Sequence, residues 1–180
     1  KNMKKMQHLD LTGNSITDLT PIEDLTEITN LILSNNLALT DLSPLHKMSK
    51  MKKLKLNGLG SVKNDKDLSN TTMTFSDISV VKFMPNLATF EANNNGKIRD
   101  ISPLQNCLNL EEVAFNNCLL ISDATPLRFC KKLQTISFAN DIQIKDFSFV
   151  KYLKDMVEIN VANTGINELI ISNISHSAES

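Results

Sequence analysis

LTGNSITDLTPIEDL, residues 11–25, packs an asparagine, an isoleucine, an aspartate, a threonine–proline pair and leucines into one short run. SNNLALTDLSPLHKM (34–48) and NNGKIRDISPLQNC (94–107) keep nearly the same order. Chance rarely repeats such an order, so the chain is a tandem array and the repeat is the unit to read. The apolar residue that opens each unit is Met3, Leu25, Met48, Met84, Cys107, Cys130 and Leu153, at steps of 22, 23, 36, 23, 23 and 23 residues. Each unit then carries two more apolar residues at steps of three and an apolar-x-apolar pair: Leu9/Leu11, Leu31/Leu33, Leu54/Leu56, Phe90/Ala92, Val113/Phe115, Ile136/Phe138 and Ile159/Val161. A period of three that changes to a period of two predicts a coil with one short strand and one short helical turn. The strand alternates between core and solvent, while the turn shows one face to the core.

Three residues after the pair comes a slot filled by Asn14, Asn36, Leu59, Asn95, Cys118, Asp141 and Thr164. A tight coil turns backbone groups away from water, and one left unpaired costs about 1 to 3 kcal/mol. A stacked row of short polar side chains would satisfy them, so the asparagine of the opening stretch reads as a structural part. A second slot holds Asp18, Asp41, Asp77, Asp100, Asp123 and Asp146, with Glu168 in the last unit. Two residues on come Thr20, Ser43, Ser79, Ser102, Thr125 and Ser148, four of them followed by proline (Pro21, Pro44, Pro103, Pro126). Ser or Thr before Pro predicts a helix start, with the hydroxyl accepting an N–H one turn in and the aspartate shaping the bend before it.

This register resembles the bacterial leucine-rich repeats of the internalin family, whose unit runs approximately LxxLxxLxLxxNxIxDLxPLxx. The likeness covers about residues 3–171, and Asn, Asp and Pro fall in place as well as the leucines. Leu59, Cys118, Asp141 and Thr164 depart from it, as does a unit lengthened between Leu59 and Phe75. The resemblance implies an α/β repeat solenoid: a curved right-handed horseshoe with a parallel β-sheet on the concave side and short helical or 3-10 turns on the convex side. It also implies a secreted or surface-attached bacterial virulence protein.

The expected organisation is a leucine-rich-repeat domain over 1–172, of about seven units of 22–23 residues, then a polar tail over 173–180. Neither end shows an atypical closing cap, so the chain reads as a piece of a longer protein. The third unit holds about 13 extra residues near 60–74, rich in Gly, Asn, Ser, Thr and Lys, and predicts an exposed loop.

Composition excludes more than it selects. A net charge of −1 argues against nucleic acid as a partner, and no apolar run reaches the roughly 18 residues of a membrane span. The three cysteines lack the spacing of a zinc site or a disulfide framework. Cys107 and Cys130 share an inward slot and read as buried thiols, although a disulfide between them is geometrically conceivable. His8, His46 and His176 fall on a strand, a turn and the tail, so no metal or acid–base cluster forms. Glu111 and Glu112 precede a strand and do not face each other as a catalytic pair. With no phosphate-binding glycine loop, neither an enzyme nor a cofactor is expected.

What remains is a surface. The solvent-facing row between the paired apolar residues reads Asp10, Ile32, Lys55, Glu91, Ala114, Ser137 and Asn160, and the row before the pair reads His8, Asn30, Lys53, Thr89, Glu112, Thr135 and Glu158. Unit three is basic (Lys52, Lys53, Lys55) and the next two are acidic (Glu91, Glu111, Glu112). No aromatic anchor lies in either row. From these, His8, Asp10, Asn30, Ile32, Lys52, Lys53, Lys55, Glu91, Glu111, Glu112 and Glu158 are the candidate contacts for a protein partner, which the resemblance suggests is a host surface protein. The plainer reading is a sheet whose charges pair across units. In an intracellular scaffold or regulatory subunit the same coil would only position other domains.

Overall fold

A computed structural model describes residues 3–62 and 72–166. Strands β1 (His8–Asp10), β2 (Asn30–Ile32), β3 (Lys53–Lys55), β6 (Thr89–Glu91), β7 (Glu112–Ala114), β8 (Thr135–Ser137) and β9 (Glu158–Asn160) form one parallel sheet in chain order. Every strand pairs with its neighbour without slippage, so His8, Asn30, Lys53, Thr89, Glu112, Thr135 and Glu158 stand side by side. Six 3-10 turns, η1 (Thr20–Ile22), η2 (Ser43–Lys47), η3 (Ser79–Phe83), η4 (Ser102–Asn106), η5 (Thr125–Phe129) and η6 (Ser148–Tyr152), run along the other side. This is the curved leucine-rich-repeat horseshoe, with the sheet on its concave face. Leu31, Leu54, Phe90 and Ile136 are fully buried between the two layers. Phe90, Phe115, Phe138 and Phe147 continue as a file of rings with centroids 5.6–5.9 Å apart.

Thirteen extra residues in unit three leave that sheet intact, because β3 pairs directly with β6 in the common register. The excursion leaves the coil at Gly60 and returns at Thr74 through a two-stranded antiparallel hairpin, β4 (Ser61–Val62) and β5 (Thr72–Met73). Thr74 donates its N–H to the Gly60 carbonyl at 2.8 Å. Gly60 has φ +58°, and a Cβ there would lie 2.4 Å from the Phe75 nitrogen, so only glycine fits the neck. The centre of the expected loop lies outside the described residues, as do Glu168, His176 and the 173–180 tail.

The polar slot behaves as anticipated at Asn36 and Asn95, whereas Asn14, in the first unit, is exposed and donates only to the Leu11 and Thr12 carbonyls of its own unit. Asn95 is buried; its Oδ1 accepts the Leu59 N–H at 2.8 Å and its Nδ2 donates to the Leu56 and Ala92 carbonyls at 2.9 Å. Asn36 does the same for Ile16, Leu11 and Leu33. At Leu59 the turn is arranged differently, as its apolar side chain suggests: Asn95 of the next unit meets the Leu59 N–H, and the chain then turns away through Gly60, at φ +58°, into the hairpin. Cys118 replaces the amide with a thiol that donates to the Ala92 carbonyl at 3.1 Å.

Asp141 is the exception in chemistry. It is buried, and its Oδ1 accepts the Cys118 N–H as an asparagine would, but its Oδ2 is buried with no partner. Burial raises its pKa from 3.8 to about 7.

One expectation fails at the turns. No Ser or Thr hydroxyl caps a 3-10 turn. The aspartate two residues earlier takes that role, accepting the backbone N–H of Thr20, Ser43, Ser79, Ser102, Thr125 and Ser148 at 2.7–2.8 Å. The physical reason is that a 3-10 turn closes within three residues. In η4 the Leu104 N–H, the natural target of a Ser102 hydroxyl, is already given to the Ile101 carbonyl. The unmet donor is the N–H of Ser102 itself, which an Asx turn reaches.

Two outcomes follow from these assignments. Asp100→Ala should cost about 0.5 to 2 kcal/mol while Ser102→Ala stays within about 0.5 kcal/mol, read from urea midpoints; the reverse order would restore the hydroxyl as the cap. For Asp141 the folded pKa exceeds the unfolded one, so its stabilising contribution is complete below pH 3.8 and is lost as pH rises to about 7. Relative to Asp141→Asn, wild type should therefore lose on the order of a few kcal/mol between pH 4 and pH 7, with a constant gap above. Parallel stability–pH curves for the two proteins would refute a protonated Asp141.

Candidate protein-binding face

Strand alternation sends Leu54 and Phe90 into the core and leaves the residues on either side facing solvent. The two sequence rows are thus real rows: Lys53 stands between Asn30 and Thr89, and Lys55 between Ile32 and Glu91. The charges they carry divide into two kinds.

Lys55 and Glu91 neutralise each other. The Lys55 Nζ lies 2.7 Å from Glu91 Oε1, and the Asn57 Nδ2 donates to Glu91 Oε2 at 3.1 Å. Both side chains keep only about a quarter of their exposure, 26% and 25%, so this pair is the most sheltered ion pair among the described residues. Part of the basic-to-acidic boundary read from the sequence is therefore an internal bond between units three and four, and Lys55 is tied rather than free.

Lys52, Lys53 and His8 have no carboxylate partner among the described residues, and Glu158 has no cationic one. Glu111 and Glu112 are exposed, and Glu112 receives only a long 3.4 Å bond from the Thr89 hydroxyl. Asp10 is occupied by the Thr12 side chain and N–H, at 2.6 and 2.9 Å, which hold its carboxyl below the usual range. Asn30 and Ile32 are half-buried between their neighbours. The register brings His8, Asp10, Asn30, Ile32, Lys53, Lys55, Glu91, Glu112 and Glu158 onto one face, while Lys52 and Glu111 are exposed one residue before β3 and β7; Lys52, Lys53, Glu111 and Glu112 are the unspent charges.

The rim of that face is built by residues the sequence reading passed over. Asn94, Asn117, Asn140 and Asn163 adopt positive φ between 56° and 68° and form a side-chain ladder, each Nδ2 donating to the preceding Oδ1 at 2.8–2.9 Å. Asparagine tolerates the left-handed backbone better than other non-glycine residues, and Gly13 and Gly58 hold the same place in earlier units. Beside it the Oδ1 atoms of Asn57, Asn93 and Asn116 accept the N–H groups of Asn93, Asn116 and Ala139. The signal was present in the runs Asn93-Asn94-Asn95 and Asn116-Asn117.

The nucleophilic groups are shut away. Cys107, Cys118 and Cys130 are free thiols, all buried, and burial pushes each pKa up to about 12. Cys107 and Cys130 donate to the Val81 and Leu104 carbonyls of the preceding units, at 3.4 and 3.3 Å, instead of bonding to each other. Among the described residues no group of three or more His, Cys, Asp or Glu side chains could hold a metal ion. No helix among them is long and apolar enough to cross a membrane.

Solved structures carry the same architecture. An internalin (InlF) from Listeria monocytogenes matches 97% of this chain with 29% identity and a TM-score of 0.69. Internalin C2 (InlC2) of the same species matches 93% at 20% identity and a TM-score of 0.68. The chain spans 53% of the first and 76% of the second. Neither family models nor curated proteins match it. The repeat is internalin-like in sequence register and in fold.

Proposed function

We propose that this chain is the repeat region of a secreted or surface-attached bacterial protein and works as a noncatalytic protein-binding module. The observation that carries this reading is the open sheet face, where Lys52 and Lys53 stand without ion partners and the acidic Glu111 and Glu112 follow one strand beyond β6. A partner docks there through a complementary pattern of charge, with the Lys55–Glu91 pair as a fixed element between the two strips. The sheet offers no Tyr, Trp or Arg anchor in these rows, so recognition depends on electrostatic steering and on apolar side chains that the partner supplies. The hairpin that leaves the coil at Gly60 is the second candidate contact.

The corresponding experiment reverses the unspent charges. Lys52→Glu/Lys53→Glu should slow association with surface proteins recovered by the wild type, and the wild-type rate should fall as salt rises, because exposed charges are screened beyond about 10 Å at 0.1 M. Lys55→Gln should instead lower stability slightly, since it strands Glu91. Recovery of the same partners at equal rates by wild type and the double variant would make the strip a solvated face and shift attention to deletion of the hairpin.

A further inference from the structure

The anchors missing from the sheet are on the opposite side of the coil. Phe83, Phe129 and Tyr152 each close a 3-10 turn, one residue before the inward-facing Met84, Cys130 and Leu153, and remain 48%, 42% and 48% exposed. Every one of these rings holds a cation. The Lys82 Nζ lies 5.0 Å from the Phe83 centroid and the Arg128 Cζ 4.8 Å from that of Phe129. Tyr152 holds two, Lys151 at 5.1 Å and Lys131 at 5.2 Å, the latter reaching over from just after η5 and donating to the Tyr152 carbonyl at 3.3 Å.

These cations differ from those at the other end of the same side. Lys47 and Lys50 are neutralised by Glu23, Asp24 and Glu27 at 2.6–3.4 Å. Arg128, Lys131 and Lys151 form no ion pair among the described residues, although Asp146, whose carboxyl the Ser148 N–H holds below the usual range, lies near enough to Lys151 to be held lower still. An exposed cation over a ring gains only about 0.5–1 kcal/mol and keeps its outer side open to an anion. A cleft of about 180 Å³, lined by Gln105, Thr125, Pro126, Arg128 and Phe129, opens beside the Phe129 ring. Exposed aromatic rings with an arginine among them are the side chains that protein hot spots favour. The molecule's net charge of −1 provides no long-range pull toward a phosphate-rich polymer or a bilayer, so recognition here is short-ranged.

We propose that the convex ridge of Arg128, Phe129, Lys131, Lys151 and Tyr152 is a second docking surface, for an acidic polypeptide segment with apolar or aromatic side chains between its carboxylates. The carboxylates pair with the open sides of the cations, and an apolar side chain enters the cleft against Phe129. None of these residues belongs to the concave strip, so this site stands or falls independently of it.

The test is fluorescence anisotropy with a labelled copolymer of glutamate and tyrosine, alongside polyglutamate and phosphatidylserine-containing vesicles. The copolymer should bind saturably and more tightly than polyglutamate. Arg128→Gln/Lys131→Gln/Lys151→Gln and Phe129→Ser/Tyr152→Ser should each weaken binding by about tenfold or more. Lys5→Gln/Lys97→Gln/Arg99→Gln, which removes the same charge elsewhere, should change it by less than about twofold. All the replaced side chains are exposed, and unchanged thermal midpoints establish that the variants fold. If a multiple variant does not fold, Lys131→Gln and Tyr152→Ser make the same comparison singly. Equal losses from the two charge-removing triples, copolymer binding no tighter than polyglutamate, or ridge-dependent binding of vesicles without the copolymer would each overturn the proposal.

Discussion

Each coil of this protein turns a few backbone amides and carbonyls inward at the corner where the strand ends, out of reach of water. The fold depends on meeting that demand once per unit. Asn36 and Asn95 do so with three hydrogen bonds apiece, each spanning two units. Because the side chain that serves a corner belongs to the next coil, the corner also joins coils to one another. A slot can lose its polarity, as at Leu59, provided its neighbour keeps its own. Where the substitute is Asp141, the acceptor half of asparagine is retained and the donor half exists only with a proton.

With the corners satisfied, the two faces are free to differ. The sheet face is regular to the residue, and that regularity determines which charges meet. Lys55 and Glu91 fall opposite each other and are spent on the solenoid itself, whereas Lys52, Lys53, Glu111 and Glu112 are not. On the turn side the first coils pair their lysines with carboxylates, and the later coils place cations over rings. A quasi-one-dimensional molecule can change its surface in this way along its length, because each coil answers only to its neighbours.

The same locality explains why the third unit carries an excursion at little structural cost. Leu59 and Phe75 are both buried in the core on either side of it, so the coil closes as if the insert were absent. The burden falls on the neck, where the Gly60 backbone approaches Phe75 closely and needs a left-handed conformation. What the hairpin carries is decoupled from the sheet beneath it.

Much of the fold is written in single residues whose meaning is local. The apolar-x-apolar pairs locate all seven strands, the aspartate–Ser/Thr–Pro register locates the turns, and Asn36 and Asn95 announce the buried corner, because each of these depends on geometry within one unit. Spacing could not show which group caps a turn: a carboxylate at Asp100 and a hydroxyl at Ser102 both lie within two residues of a donor of the first turn, and only the i→i−3 closure of a 3-10 turn, which consumes the Leu104 donor, leaves the Ser102 N–H to the aspartate. Nor could the rows of the sheet reveal that Lys55 is spent while Lys53 is not, since both are lysines on one strand and the difference is whether a carboxylate lies within reach across the ladder. The aromatic ridge was hidden for a related reason. Phe129 and Tyr152 look like core residues in a list of apolar positions, but they sit one place before the inward slot, and the phase of the turn sends their rings outward. Periodicity along the chain thus determined the coil, whereas contacts between coils, set by stacking at strand spacing, decided which side chains are consumed by the fold and which are left for a partner.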